Sequence, residues 1–342
     1  MTCNYYSYDL AFRHPFTISR GTKTHQPTLI VELSHNGFTG YGEAPAITYY
    51  HIPVEKMIAD LEVKRPLVED FALTDPERYW DHLHHLFPDN PFLVCALDMA
   101  GWDLCGQLRG QPLYKLWHLD PAKAPLTDYT IGIDTVEKMV EKMDELPWPV
   151  YKIKLGTSED LEIVRALRKH TDATLRVDAN AGWILEEALQ KIPRLAELGV
   201  EFVEQPLAKE DREGMAVLIR ESALPLVADE SCVREEDVEA CAGLFHGINI
   251  KLTKCSGITP ARRMIEHARS LGMRVMVGSM NESSLGSAAI AHLLPYLDYV
   301  DMDGPLLLKE DLATGLDFDY GKVSIPERPG LGVRYTGLYL KN

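Results

Sequence analysis

Three acidic residues in the middle of the chain each end a short run of apolar and β-branched residues. They are Asp178, Glu204 and Asp229, and the three runs follow one another along the sequence. If the runs are neighbouring parallel strands, which lie roughly 5 Å apart, the three carboxylates converge on a small volume. Their mutual repulsion favours a cation between them, and oxygen ligands without His or Cys favour a hard ion, Mg²⁺ before Mn²⁺ or Ca²⁺. The sequence therefore predicts one Mg²⁺ site per chain.

Three lysines occupy the ends of runs on either side of these acids. Lys152 and Lys154 are one residue apart, so strand alternation points both side chains to the same face, and Lys251 follows a later run. A lysine acts as a base only when neutral. Lowering its pKa from about 10.4 to near 7 takes about 4 kcal/mol from burial, the metal and a like charge. Lys152 is placed to supply that charge to Lys154. Alternatively the lysines only neutralise the carboxylates, an interpretation that applies above all to Lys152.

Eight such runs alternate with amphipathic helical stretches in the second part of the chain, with about 25 residues between their starts, which predicts parallel strands joined by crossover helices in a closed barrel. Charged or polar residues, among them Asn180, Asp301 and Asp303, lie at the ends of most of the runs. The carboxyl ends of the strands are where β/α barrels place their chemistry. The eight predicted strands are Tyr129–Ile133, Val150–Leu155, Thr174–Val177, Phe202–Glu204, Leu226–Ala228, Ile248–Leu252, Arg274–Val277 and Tyr299–Met302.

The first third of the chain has a different pattern. Thr28–His35 and Phe38–Ala44 alternate as strands around Asn36-Gly37, a favoured hairpin turn. Five apolar residues from Leu93 to Leu108 share one helical face, and Gly110 follows as a stop. We predict an α/β protein: a modified (β/α)8-type barrel over 123–304, with an α+β capping domain formed by 1–122 and by the C-terminal tail, 305–342.

Composition limits the partners. The net charge of −16, from 51 acidic residues against 35 Lys and Arg, repels phosphate backbones, so we expect no nucleic acid partner. The apolar stretches are too short for a membrane span, and residues 1–10 do not resemble a signal peptide. Six scattered cysteines indicate reduced thiols and a cytoplasmic location. His82, His84 and His85 lie far in sequence from every predicted barrel strand, so we interpret them as a solvated helix face.

Five segments of the second part of the chain carry a more specific likeness. They are Tyr151-Lys-Ile-Lys-Leu-Gly156, Val177-Asp-Ala-Asn180, Val203-Glu-Gln-Pro206, Ala228-Asp-Glu-Ser231 and Asn249-Ile-Lys-Leu252. In order, they resemble the signature segments of the enolase superfamily, and the lysine pair with the Lys251 segment resembles its muconate-lactonizing subgroup. Gly40–Ala44 and Asp98–Leu116 resemble the capping domain of that family, so the likeness extends over almost the whole chain.

The resemblance implies a mechanism. Enolase-superfamily enzymes remove a proton beside a carboxylate and hold the resulting enediolate with Mg²⁺. By resemblance, Lys154 and Lys251 are the opposed acid and base, Lys154 for the (R) and Lys251 for the (S) substrate. Lys152 helps to stabilise the enediolate, and Asn180 supports the site.

Within the subgroup, Asp301-Met-Asp303-Gly-Pro305 resembles the dipeptide epimerases. In that group the two aspartates bind the α-ammonium of the substrate, so the resemblance implies an epimerase of the L-Ala-D/L-Glu type. It also implies substrate contacts from Thr130, Ser279 and Met280, and from a loop that contains Arg20, which matches the family position only loosely. Lys23 is a second loop cation that could bind a side-chain carboxylate.

Other functions compete with this interpretation. An o-succinylbenzoate synthase or muconate-type cycloisomerase needs the same metal and lysines but no ammonium-binding aspartates. A pyridoxal-phosphate barrel racemase needs a Gly-rich phosphate segment, and a non-catalytic barrel would have lost ligands or lysines. We therefore expect a Mg²⁺-dependent isomerase acting on a small dipeptide, with a role in peptidoglycan peptide recycling, and a homo-oligomer of undefined size.

Overall fold

The computed structural model describes residues 1–18 and 21–337. The chain begins with an antiparallel sheet of β1 (Thr2–Ile18), β2 (Gly21–His35) and β3 (Phe38–Pro45). Asn36 and Gly37 join the last two strands with φ angles of 50° and 80°. Both residues of a type I′ turn require such positive angles, so the predicted hairpin is confirmed.

Four helices follow the sheet: α1 (Val54–Glu69), α2 (Pro76–Leu86), α3 (Pro91–Arg109) and α4 (Leu113–Leu116). The third carries the predicted apolar face and ends at Gly110, which has a left-handed φ of 65°. β3 lies directly against this helix at two glycines. A Cβ atom on Gly42 would collide with the backbone carbonyl of Ala96, so this contact between helix and sheet requires glycine.

A second sheet contains eight parallel strands in chain order. The strands are β4 (Tyr129–Ile131), β5 (Val150–Lys154), β6 (Thr174–Asp178), β7 (Val200–Glu204), β8 (Leu226–Ala228), β9 (Gly247–Ile250), β10 (Arg274–Gly278) and β11 (Tyr299–Asp301). The helices that follow them are α5 (Val136–Glu145), α6 (Asp160–His170), α7 (Leu185–Glu197), α8 (Arg212–Glu221), α9 (Glu235–Cys241), α10 (Leu252–Cys255), α11 (Ile258–Ser270), α12 (Ser284–Leu293) and α13 (Gly304–Leu307).

The strands close into a barrel through a short contact between the first and the last. Thr127, just before β4, forms a parallel bridge with Val300 of β11, and its hydroxyl accepts a hydrogen bond of 3.0 Å from the Met302 N–H. The strands are almost entirely buried because helices cover the outside and side chains fill the inside, which explains their nearly continuous apolar runs. The predicted modified β/α barrel is confirmed. No helix among the described residues is long and apolar enough to span a membrane.

The C-terminal segment contains four short strands that form two antiparallel pairs, β12 with β15 and β13 with β14: β12 (Ala313–Thr314), β13 (Asp317–Asp319), β14 (Lys322–Ser324) and β15 (Arg334–Tyr335). This segment contacts the first part of the chain. The hydroxyls of Tyr335 and Tyr8 lie 2.5 Å apart, and the Leu331 N–H donates to Asp103 of α3 at 2.8 Å. The domain limits at 122 and 304 stay a prediction.

His292 of α12 links the barrel to the C-terminal segment and to α4 in the first part of the chain. One ring nitrogen lies 3.1 Å from the Leu331 carbonyl oxygen, and the other lies 3.4 Å from the Tyr114 N–H. Burial lowers the pKa of His292 to about 4, so the folded protein takes up its proton later than the unfolded chain as the pH falls. The stability contributed by neutral His292 is therefore present above the unfolded pKa, near 6.5, and is lost between 6.5 and 4.

We predict that wild type loses about 2–3 kcal/mol more unfolding free energy than His292→Gln between pH 7.5 and pH 4.5. Urea denaturation of both proteins at each pH measures the difference. Parallel pH profiles for the two proteins would show that His292 titrates normally in the fold.

Candidate active site

The three predicted metal ligands converge at one mouth of the barrel. Asp178 and Glu204 end β6 and β7 and are paired in register, and Asp229 follows β8 by one residue. All three side chains are buried. One carboxylate oxygen from each lies within 4.8 Å of the others. The strands thus bring the carboxylates into the small volume that the sequence predicts.

Charge and burial act strongly on these acids. Burial and the negative charge of Asp178 raise the pKa of Glu204 to about 7. Burial alone would also raise the pKa of Asp178, but the ammonium groups of Lys154 and Lys152 hold it below its usual value. Asn180 orients Asp178, donating to it from its backbone N–H at 2.8 Å and its amide at 3.1 Å. Three buried, mutually repelling carboxylates with no softer ligand fit Mg²⁺, which needs oxygen donors and would relieve the repulsion.

Three lysines surround the carboxylates. Lys152 lies at the centre, with its Nζ 2.7 Å from Glu204, 2.8 Å from Asp301 and 3.6 Å from Asp178. The carboxylates outweigh burial and raise its pKa well above the usual value. Lys152 therefore stays an ammonium. Its contacts with three carboxylates fit the alternative, left open by the sequence, that it neutralises their charge.

The other two lysines contact different carboxylates. Lys154 of β5 lies 2.7 Å from Asp178, and Lys251, just after β9, lies 2.8 Å from Asp229. Burial would lower the pKa of Lys251, but the Asp229 carboxylate raises it. This direction is opposite to the one a base requires. Its cause is the charge of Asp229, which a divalent cation on that carboxylate would offset.

Asp301 and Asp303 lie at the end of β11. Asp301 accepts a hydrogen bond from Lys152 through Oδ2, and its buried Oδ1 has no hydrogen-bond partner among the residues that the structure describes. Asp303 accepts a 2.5 Å hydrogen bond from the backbone N–H of Thr130. Burial and the charge of Asp301 raise the pKa of Asp303 to about 8. Two carboxylates this close favour a cation beside them.

A cavity of 480 Å³ is lined by Asp229 of the acidic triad, by two of the lysines and by both aspartates at the end of β11. The barrel contributes the lysines Lys154 and Lys251 and the aspartates, and the first 50 residues contribute a mostly apolar roof. The roof-forming residues are Phe16, Ile18, Gly21, Thr22, Lys23, Ile47, Thr48, Tyr49 and Tyr50. The lysines and aspartates that line the cavity therefore face a space of the size of a small ligand.

The remaining predicted substrate-binding residues divide into two groups. Thr130, Ser279 and Met280 line the cavity. Arg20 lies outside the described residues. Lys23 lines the cavity, and burial, together with the charge of Lys251, lowers its pKa.

Some residues of the site carry no signal in the sequence pattern. Lys254 is fully buried and donates to Asp229 Oδ1 at 2.5 Å, to the Asp229 carbonyl at 2.6 Å and to the Cys232 carbonyl at 3.1 Å. It lies in α10, three residues after Lys251, so an inspection of strand ends passes over it. Tyr49 and Tyr50 reach the cavity from a short 3₁₀ turn in the first part of the chain.

The histidine cluster lies on α2, away from the cavity. His82 contacts the Leu67 carbonyl, and His85 contacts the Asp81 carbonyl. His84 stacks on Trp80 at 4.8 Å between ring centroids. These local contacts account for all three rings.

Both parts of the chain match known families. Residues 4–117 match the N-terminal domain of mandelate racemase / muconate lactonizing enzyme, and residues 134–337 match the enolase C-terminal domain-like family. The chain belongs to the enolase superfamily. The family resemblance of the sequence segments is thereby confirmed, and the superfamily's use of Mg²⁺ agrees with the buried acidic triad.

Individual members of the superfamily are similar over almost the whole chain. An L-Ala-D/L-amino acid epimerase of Flavobacterium johnsoniae is 52% identical over 95% of this chain and 97% of its own. An L-Ala-D/L-Glu epimerase of Bacteroides thetaiotaomicron is 40% identical over 97% and 88%. The crystal structure of a dipeptide epimerase of Cytophaga hutchinsonii, complexed with Mg and D-Ala-L-Val, superposes with a TM-score of 0.91 at 29% identity, covering 99% and 96% of the two chains.

Proposed function

We propose that this protein is a Mg²⁺-dependent dipeptide epimerase that inverts the Cα of the C-terminal residue. The observation that carries the proposal is the pair Asp301 and Asp303, which lines the same cavity as Asp229 of the acidic triad and the lysines Lys154 and Lys251. A cycloisomerase needs the triad and the lysines but has no use for a second anionic pocket. The similarity to several named dipeptide epimerases supports the same choice.

In this proposal Asp178, Glu204 and Asp229 hold Mg²⁺, which supplies positive charge beside the substrate carboxylate and makes the neighbouring α-proton more acidic. Lys152 remains an ammonium between Glu204 and Asp301. It therefore donates a hydrogen bond to the carboxylate oxygen on which negative charge develops.

Lys154 and Lys251 move the proton. They reach the cavity from β5 and from the end of β9, four strands apart in the eight-stranded barrel, and pair with different carboxylates. A substrate Cα between them has one lysine on each face. One lysine takes the proton and the other returns a proton to the opposite face, which inverts the centre.

Asp301 and Asp303 bind the free α-ammonium of the N-terminal residue. The unpartnered Oδ1 of Asp301 supplies an acceptor, and the ammonium relieves the repulsion that raises the pKa of Asp303. Charge-assisted hydrogen bonds of this kind contribute about 1.5–3 kcal/mol each.

We predict that Asp303→Asn lowers kcat/KM for free dipeptides by about ten- to a hundredfold, the loss expected for one such contact. Steady-state kinetics with free and N-acetylated dipeptides measure the loss, and we expect the acetylated forms to be poor substrates of wild type. Asp298→Asn, at the other end of the same strand, is the matched control. If acetylated and free dipeptides turn over equally well, Asp301 and Asp303 do not bind the ammonium, and only membership of the superfamily stands.

Lys23 is our candidate for binding an acidic side chain of the C-terminal residue, because it is the described cation on the roof of the cavity. Lys23→Met should lower kcat/KM for L-Ala-L-Glu about tenfold or more, and leave L-Ala-L-Leu within about twofold. Equal losses for both dipeptides would assign Lys23 a role that is independent of the side chain.

We also propose a cytoplasmic location, a role in peptidoglycan peptide recycling and a homo-oligomeric assembly. The six cysteines are free and buried, which supports a reducing compartment. Relatives that are named for L-Ala-D/L-Glu support the recycling role. Val63 and Leu67 are exposed on one face of α1, by 79% and 51%, and support an association surface. Fractionation of cells, turnover of L-Ala-D-Glu and light scattering test these three proposals separately.

A further inference from the structure

β1 leaves regular pairing just before it reaches the barrel. Ala11 pairs with His25 and Phe16 pairs with Lys23, so Phe12–Pro15 face only one residue of β2. The resulting bulge contacts the residue that follows α13, because Phe12 forms a bridge with Leu308. It carries Phe16 from the sheet to the mouth of the barrel.

Phe16 is held in place there by two contacts. Its ring stacks on that of Phe12, with centroids 5.5 Å apart and planes 17° from parallel. The carbonyl of the next residue, Thr17, accepts a 2.9 Å hydrogen bond from the Ile133 N–H. A Cβ on Gly132 would lie 2.9 Å from the same carbonyl, so glycine is what allows β1 to approach β4. The Phe16 ring therefore forms a fixed wall.

This wall separates two spaces. Phe16 and Thr130 line the active-site cavity, and both also line a space of only 20 Å³ behind them. Beyond that space, the bulge forms one side of an open groove of 430 Å³ that His25 and Lys309 also line. The ring of Phe16 thus closes the cavity on the side of Thr130 and Asp303.

The position of the proposed ammonium site determines what meets this wall. With the ammonium on Asp301 and Asp303, the first Cα of a dipeptide lies one bond away, beside Thr130, whose N–H binds Asp303. Ser279 and Met280, which follow β10, line the cavity as well. An N-terminal side chain that points to the β4 side of the ammonium site faces Phe16, which lines the cavity together with Thr130. On that side the Phe16 ring limits the length of the side chain.

We propose that Phe16 closes the subsite for the N-terminal side chain of the dipeptide and restricts it to residues of alanine size. The inference rests on the proposed function. Since hydrophobic pockets exclude larger side chains by steric overlap, removing the ring should join the cavity to the small space behind it and admit leucine or phenylalanine.

The test compares kcat/KM of wild type and Phe16→Ala for L-Ala, L-Leu and L-Phe dipeptides that share one C-terminal residue. We expect wild type to prefer alanine over leucine at least about tenfold, and Phe16→Ala to raise the Leu/Ala ratio at least about tenfold. Phe38→Ala, which removes an exposed ring from the hairpin end, is the matched control and leaves the ratio unchanged.

The outcomes separate the two proposals. If wild type epimerises no dipeptide, the proposed function fails. If it epimerises alanine and leucine dipeptides equally, or if Phe16→Ala turns over L-Ala dipeptides with an unchanged ratio, only the role of Phe16 is overturned. Should Phe16→Ala fail to fold, Phe16→Val serves as the second variant, for which the same rise in the ratio supports the role and an unchanged ratio overturns it.

Discussion

Lys251→Ala should abolish epimerisation and still exchange the α-proton of one stereoisomer with solvent. Lys251 and Lys154 enter the cavity from strands on opposite sides of the barrel, so each reaches one face of the substrate Cα. Without Lys251 one face has no acid or base, and loss of such a group costs about 10²–10⁴-fold in rate. Lys154 still removes and returns the proton on its own face.

Incubation of the L,L and L,D isomers separately in deuterated water, followed by mass and chiral analysis, measures both quantities. Lys154→Ala is the mirror variant and should exchange the opposite isomer. Lys138→Ala removes an exposed lysine of α5 with 61% exposure and is the control. Interconversion of both isomers by Lys251→Ala at close to the wild-type rate would rule out the two-base mechanism.

Glu204→Gln should abolish turnover through loss of Mg²⁺. The amide keeps an oxygen that can accept the 2.7 Å hydrogen bond from Asn249, so the change removes the negative charge and the ion pair with Lys152 but keeps that hydrogen bond. Changes next to a metal ligand typically cost about 10- to 100-fold in affinity, and the loss of a charged ligand should exceed that.

Calorimetric titration of the metal-free proteins with Mg²⁺ measures the affinity without relying on activity. The control is Glu201→Gln, on the same strand, which loses an ion pair with Arg176 and should bind Mg²⁺ as wild type does. If Glu204→Gln binds Mg²⁺ with unchanged affinity, Glu204 is not a ligand.

The barrel could be predicted because its physical causes are local. Strands covered on both faces must be apolar throughout, and an ionisable residue at the end of such a run, as in Val177-Asp178, is conspicuous. Strand alternation and strand order then place Asp178, Glu204 and Asp229 together without any knowledge of the loops. For this reason the fold and the convergence of the carboxylates follow from the pattern.

Contacts across the closed barrel, or between the barrel and the first part of the chain, could not be predicted because no local sequence pattern causes them. The pairing of Lys152 with Asp301 joins the second strand to the eighth and exists only after closure. Lys254 belongs to a helical turn, where a buried lysine is not marked by an alternating pattern. Phe16 reaches the cavity through a bulge of β1, and nothing in the spacing of Phe12–Pro15 predicts where that bulge lies.

Deuterium exchange into free dipeptides, with and without Mg²⁺, tests the central claim most directly. A panel of L-Ala dipeptides that includes L-Ala-L-Glu is incubated with the wild-type protein in deuterated water and analysed by mass and by chiral separation. The account predicts one deuterium at the C-terminal α-carbon and formation of the L,D isomer, both lost on chelation and restored by Mg²⁺. Absence of exchange across the whole panel, or equal exchange in protein shown to be metal-free, would contradict it.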